Sequence, residues 1–149
     1  MARLLTLSVC VLALVATLAE AKSDRIHVTA KIVETTFTGD LAHPQIGDQL
    51  INTVELFDKH EKEVGTGAGA CTVVSAPPRE PLLLCLVTAV FPKKGQIIFG
   101  GAAPFPTPDA VVTFGILGGT DDFRKVRGEA VLTVISDKLQ DAVFELEWL

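Results

Sequence analysis

Apolar residues recur at every second position through most of this chain, and that period limits what it can become more than any other feature. In IHVTAKIVETTF, residues 26–37, Val28, Ala30 and Ile32 share one face, while Thr29, Lys31 and Thr35 share the other. QLINTVELF repeats the pattern, with Leu50, Val54 and Leu56 opposite Gln49, Thr53 and Glu55. Successive side chains of a strand point to opposite faces, so this alternation, rich in β-branched residues, predicts half-buried strands. Past residue 21, no window of a dozen residues carries the 3.6 period of an amphipathic helix. Further strands are predicted over residues 64–75, 82–91, 96–100, 111–117, 129–136 and 142–148. The turn-forming stretches HPQIGD, DKHEKE, APPREP, PKKG, PFPTPD and SDKLQD separate them.

Eight strands joined by short connections imply an all-β antiparallel meander. Closing it into an up-and-down barrel removes the edges that an open sheet has to protect. A barrel of that size is wide enough for side chains or one small ligand inside. A two-sheet sandwich is the alternative. No internal repeat, low-complexity tract or linker divides the chain, which predicts one domain.

The first 21 residues read differently. MARLLTLSVCVLALVATLAEA has Arg3, an apolar run from Leu4 to Leu18, and Ala19-Glu20-Ala21. A basic start, a short apolar centre and an A-x-A end predict a secretory signal peptide, residues 1–21, cleaved after Ala21. A retained anchor is the alternative, but the run falls short of the roughly 20 apolar residues a spanning helix needs. The mature domain is then 22–149, secreted and extracellular, with no membrane contact. Loss of Arg3 and Glu20 leaves the net charge at −5. A mildly acidic domain is a poor partner for nucleic acid, and none is expected. Cleavage also removes Cys10, leaving Cys71 and Cys85. An even count in an exported protein favours a disulfide, with two buried thiols as the alternative. The pair brackets TVVSAPPREPLLL, and a hairpin turning at Pro78 would set them opposite each other.

Sequence motifs for a cofactor or metal are wanting. GTGAGAC, residues 65–71, looks like a dinucleotide loop, but such glycines must open a helix whose amides meet the phosphates. TVVSAPP follows instead, which is β-branched and then broken by proline. The bland reading is a strand in which glycines relieve crowding. GGTDDFRKVRG fails for the same reason, since the strand-like EAVLTVI follows it. That segment reads as a connection in which Gly118 and Gly119 allow positive φ. Its charges, Asp121, Asp122, Arg124, Lys125 and Arg127, are expected on the surface with some local pairing. His27, His43 and His60 lack metal-ligand spacing, and no G-x-S-x-G elbow occurs. No cofactor and no metal are expected.

Two polar residues share a face with apolar ones. Glu34 follows Val28, Ala30 and Ile32, and Asn52 lies between Leu50 and Val54. A carboxyl inside a barrel would be desolvated and its pKa raised, suiting it to proton transfer or a ligand hydrogen bond. At a strand's mouth, water would reach Glu34 and it would do neither. An inward Asn52 needs a partner, from the protein or from a ligand.

The order of Gly47-Asp48, EVGTGAGACTVV and DAVVTFGILGGTDDFRKVRGEAVL resembles the allene oxide cyclase and dirigent barrel superfamily. Its hallmark reads here as Gly118-Gly119-Thr120, Phe123, Arg124, Arg127 and Gly128. FRKVRG is similar to the dirigent form and AGACTVV to the cyclase form, and the resemblance covers about residues 26–149. It implies an eight-stranded antiparallel barrel whose apolar cavity holds a reactive intermediate and steers its cyclisation or coupling. It also implies homo-oligomers, trimers formed through the barrel wall. By hand alignment, the cyclase glutamate and asparagine of strand one fall on Ile32 and Glu34. The strand-two asparagine falls on Val54, with Asn52 on the same face, and the cyclase cysteine on Cys71. The dirigent aspartates fall near Thr53 and Val54, and the acid before the glycine pair near Thr113. The chain has no tyrosine, whereas tyrosines line both families' cavities. The resemblance therefore carries the fold and neither activity.

The resulting expectation is a secreted barrel that binds a small hydrophobic molecule, with Glu34, Asn52, Val54 and Cys71 as contacts. Steering of cyclisation or coupling makes it an isomerase-like or dirigent-like protein without a redox centre, Glu34 being the candidate catalytic group. That chemistry needs Glu34 inward, and Cys71 as a free thiol if it takes part. The alternatives are a non-catalytic, lipocalin-like binder and a structural extracellular barrel.

Overall fold

In the computed structural model, which describes residues 22–149, the alternation becomes eight strands. These are β1 (Ser23–Phe37), β2 (Gln49–Phe57), β3 (Glu63–Ser75), β4 (Leu82–Phe91), β5 (Gly95–Pro104), β6 (Val111–Gly119), β7 (Val126–Ser136) and β8 (Leu139–Trp148). Each pairs antiparallel with the next, and β8 returns to β1, closing a barrel. Closure leaves no edge strand among the described residues and disposes of the sandwich alternative. The expected signal peptide, with Cys10, lies outside the described residues.

Two strands outrun their sequence signal. Gly-Gly-Ala-Ala-Pro is a poor strand former, yet β5 continues to Pro104 because pairing with β4 runs from Phe91–Gly95 to Leu82–Pro104. Long-range pairing overrides local propensity there. SDKLQD reads as a turn throughout, but the chain reverses at Asp137-Lys138, and β8 begins at Leu139, opposite Ser136.

One end of the barrel is closed by aromatic packing. Phe144 is 1% exposed, with its ring centroid 5.2 Å from Phe99 and 6.3 Å from Phe91. Phe123 completes the group, 5.6 Å from Phe91. It is delivered by a 3-10 turn, Asp121–Phe123, within the GGTDDFRKVRG connection. Trp148 donates its indole N–H to the Asp122 carbonyl at 3.1 Å. Gly118 has φ +154°, while a side chain at Gly119 would press to 2.6 Å on the Gln96 carbonyl oxygen and on Phe123. The five charged residues of this segment are exposed. Their expected pairing is not found, since the ion pairs among the described residues are His27–Asp141 and His43–Asp40. The stretch is a plug for the barrel's floor.

Strands β3 and β4 are stapled by a disulfide between Cys71 and Cys85, residues that face each other in register with Cα atoms 4.0 Å apart. Closing a loop of this length stabilises the fold by about 3 kcal/mol through restriction of the unfolded chain.

Candidate functional site

The end opposite the aromatic floor is open. Pairing of β5 with β6 stops at Gly100–Gly115, so Gly101 to Pro104 and Val111 to Phe114 are not joined across that seam. Residues 105–110 bridge the gap, and Phe105 meets Phe37 edge-on, with centroids 6.3 Å apart. Beneath this mouth lies a cavity of about 110 Å³.

The cavity exists because inward positions carry small residues. On β3 these positions are Gly67 and Gly69, and Ala30, Ala89, Ala103 and Ala142 contribute from other strands. The close approach of neighbouring strands requires the glycines. A Cβ at Gly67 would stand 2.9 Å from a Val54 methyl and 3.0 Å from the Thr88 carbonyl oxygen. At Gly69 it would stand 2.9 Å from Oδ1 of Asn52. The GTGAGAC stretch thus makes room, consistent with its bland reading.

Asn52, Val54 and Cys71 line the cavity. Glu34 does not, and its expected inward position is corrected. In the β1–β2 ladder Ile32 pairs with Val54, but Glu34 pairs with Thr53, leaving Val33 as the extra residue of a β-bulge. One inserted residue reverses the faces of everything after it. Glu34 is therefore exposed on the outer wall, and Thr35 takes the place opposite Asn52. Cys71 reaches the cavity as half of a disulfide, so no thiol is presented there.

The lining holds two polar residues that the sequence reading missed, Thr88 of β4 and Gln140. Gln140, in β8 opposite Ala30, points into the cavity. SDKLQD hid it as a turn, although extending the inward series Leu146, Phe144, Ala142 by one step would have found it. Asn52 and Gln140 are both half-buried. The side-chain hydrogen bonds of the described residues lie elsewhere, and none involves either amide.

Among the described residues, no Asp, Glu, His, Lys or Arg lines the cavity. The acids with depressed pKa sit on surface turns. Asp40 is held below the usual carboxylate range by the His43 ring and the Ala42 N–H. Asp58 is lowered by the N–H groups of Lys62 and His60. Among the described residues, no three His, Cys, Asp or Glu side chains gather into a metal-binding group. What the arrangement offers chemically is an apolar wall, two aromatic faces from Phe99 and Phe114, and two free amides.

No protein-family model and no curated protein sequence matches the chain. Solved structures do. An exo-specific intermolecular Diels–Alderase is similar with a TM-score of 0.72 at 19% identity, covering 85% of this chain and 98% of that one. A pterocarpan synthase dirigent protein is similar at 0.66 and 19%, covering 98% of each chain. A pyocyanin demethylase is similar at 0.70 and 22%, covering 83% of this chain and 99% of that one. At these identities the likeness is one of fold, and the fold is the dirigent- and cyclase-like barrel.

Proposed function

We propose that this barrel takes a small hydrophobic molecule into its cavity and steers that molecule's cyclisation, cycloaddition or coupling by shape. The carrying observation is an apolar cavity that opens to solvent and holds two unpaired amides but no ionisable side chain among the described residues. Such a site aligns reacting atoms and excludes water, contributions that need no proton transfer from the protein. The names of the Diels–Alderase and the dirigent protein support this reading, because ring formation and coupling are controlled largely by orientation. The outward Glu34 and the bridged Cys71 count against a variant in which either group does acid, base or thiol chemistry. The same observations favour a second reading, a non-catalytic carrier, which differs only in whether the bound molecule leaves changed.

Size bounds the guest. Drug-sized ligands occupy roughly 300–1,000 Å³, whereas about 110 Å³ is nearer the roughly 150 Å³ that accommodates benzene. One ring fits inside, and anything larger extends through the mouth.

Two further elements belong to the proposal. The leader of residues 1–21 supports export. The outer wall supports self-association. Leu84 and Leu86 of β4 are each 55% exposed, with Ala70 of β3 and Ala102 of β5 beside them. The opposite wall carries Arg25, Arg127, Glu129, Glu145 and Glu147. An apolar patch on a protein that stays in solution marks a contact surface, and the resemblance implies a trimer.

Native mass spectrometry of the protein from its own host's secretions, followed by organic extraction and denatured mass without reductant, tests these points together. The expected result is an oligomer carrying a neutral organic molecule, built from chains that begin at Lys22 and weigh about 2 Da less than the reduced form. An empty barrel that also fails to take up any single-ring compound would overturn the binding reading. Chains that begin at Met1 would overturn leader cleavage, and a monomer would overturn self-association.

A second expectation follows from the lining. Affinity for a neutral guest should be flat from about pH 5 to 8, since no ionisable side chain among the described residues lines the cavity. Glu34→Gln should leave it unchanged. A calorimetric titration showing a pH step, or a loss of affinity in Glu34→Gln, would return Glu34 to the site.

A further inference from the structure

The cavity and its mouth restrict the charge and the functional group of what can enter. Within the site, the Phe99 and Phe114 rings stand 6.1 Å apart, and Phe99 also abuts the Phe144 floor. Gln140 sits at the mouth, one residue into β8, and Asn52 lines the wall from β2, on the two strands flanking β1. A ring therefore belongs against the two phenylalanines and a polar head at the two amides. Each primary amide offers two N–H donors and a carbonyl acceptor. Together they can donate to a ligand carbonyl and accept from a ligand N–H.

Neither amide can neutralise an anion, and no cation among the described residues lines the cavity. A carboxylate drawn into such a site gives up its hydration and meets no counter-charge, a penalty that favours its staying in water. The connections around the mouth add to this. Asp40, Asp48, Glu80, Asp109 and Asp137 outnumber Arg79 and Lys138 there. A cleft rimmed by one sign of charge raises the local concentration of the opposite sign and depletes its own.

From this geometry we infer that the guest is a neutral, single-ring compound bearing a carboxamide or similar carbonyl head, held by Asn52 and Gln140, and that carboxylates of the same shape are rejected. This inference rests on the cavity being a binding site. It adds Gln140 as a specificity-determining residue, and it makes the acidic mouth a filter.

The test uses the mature chain and three probes of nearly equal shape: toluene, benzamide and benzoate. Affinities are read at about pH 7 from amide chemical-shift titration, which also reports where each probe binds. Benzamide is expected to bind at least about tenfold more tightly than benzoate. In the double variant Asn52→Leu with Gln140→Leu, benzamide is expected to weaken by about tenfold while toluene stays within about twofold. Toluene binding in the cavity with benzoate as tight as benzamide would overturn the charge selection and leave the binding reading standing. Benzamide unaffected in a folded double variant would overturn the role of the two amides. No cavity shifts with any probe would overturn both the inference and the reading beneath it. The benzamide–benzoate comparison is made on the wild-type chain, so it stands even where the double variant does not fold.

Discussion

Ala103→Leu should raise the Kd for a single-ring probe such as toluene by about 100-fold, a change of about 2.8 kcal/mol, while the barrel keeps its melting temperature to within a few degrees. Ala103 is 4% exposed on the inner face of β5 and lines the cavity. Leucine carries three more carbon atoms, and the space open to them is the void itself. Filling it removes the guest's place. For stability, two effects oppose each other. Each added buried carbon contributes about 0.8 kcal/mol, and the dispersion attraction that the void's walls lack is restored. Overpacking costs about 1–3 kcal/mol where neighbours have to shift. The neighbouring inward position on β5 is Gly101, where an added Cβ would meet nothing nearer than 3.5 Å, so the strain falls at the low end. Isothermal titration with the probe and scanning calorimetry of both proteins check the two halves. Unchanged affinity in a folded variant would place the guest outside this cavity.

Phe144→Ala is the converse experiment and should cost about 3–5 kcal/mol of stability. Its ring is the centre of the closed end, in edge contact with Phe91 and Phe99 and 1% exposed. Truncation deletes the whole ring from a tightly packed region, and the aromatic edge contacts add to the loss. Against a total stability of about 5–15 kcal/mol for an ordinary domain, such a loss approaches unfolding. Melting should drop by about 10 °C or more. Urea denaturation of the variant beside the parent gives the value directly. A cost below about 1 kcal/mol would mean that the aromatic group is not what closes this end.

The two substitutions probe opposite ends of the barrel, and the ends differed in how far they could be read beforehand. Phe91 and Phe144 fall on the inner faces of strands whose alternation is plain in the sequence. The cavity end was half legible. Asn52 and Val54 lie in an unbroken alternating run, and both line the cavity. The equal spacing of Cys71 and Cys85 about Pro78 anticipated their pairing in register. Glu34 and Gln140 were misread, one as inward and the other as part of a turn. Each lies beside an irregularity, the bulge at Val33 and the tight reversal at Asp137-Lys138.

Those particulars separate what the sequence determined alone from what the tertiary structure decided. The period of two is a property of neighbouring residues, so it sets strand after strand, the inner and outer faces within each, and short connections compatible only with antiparallel neighbours. Local hairpin symmetry likewise sets the opposition of Cys71 and Cys85. A bulge, by contrast, is a mismatch between two strands. Val33 is extra only because β2 offers one residue fewer across from it, and that single residue turns Glu34 to solvent. Gln140 is committed to the interior by the return of β8 to β1, at the far end of the chain from it. The cavity is also a non-local result. The glycines of GTGAGAC could have been filled by larger neighbours, and they bound an open space only because closure sets alanines around the same interior.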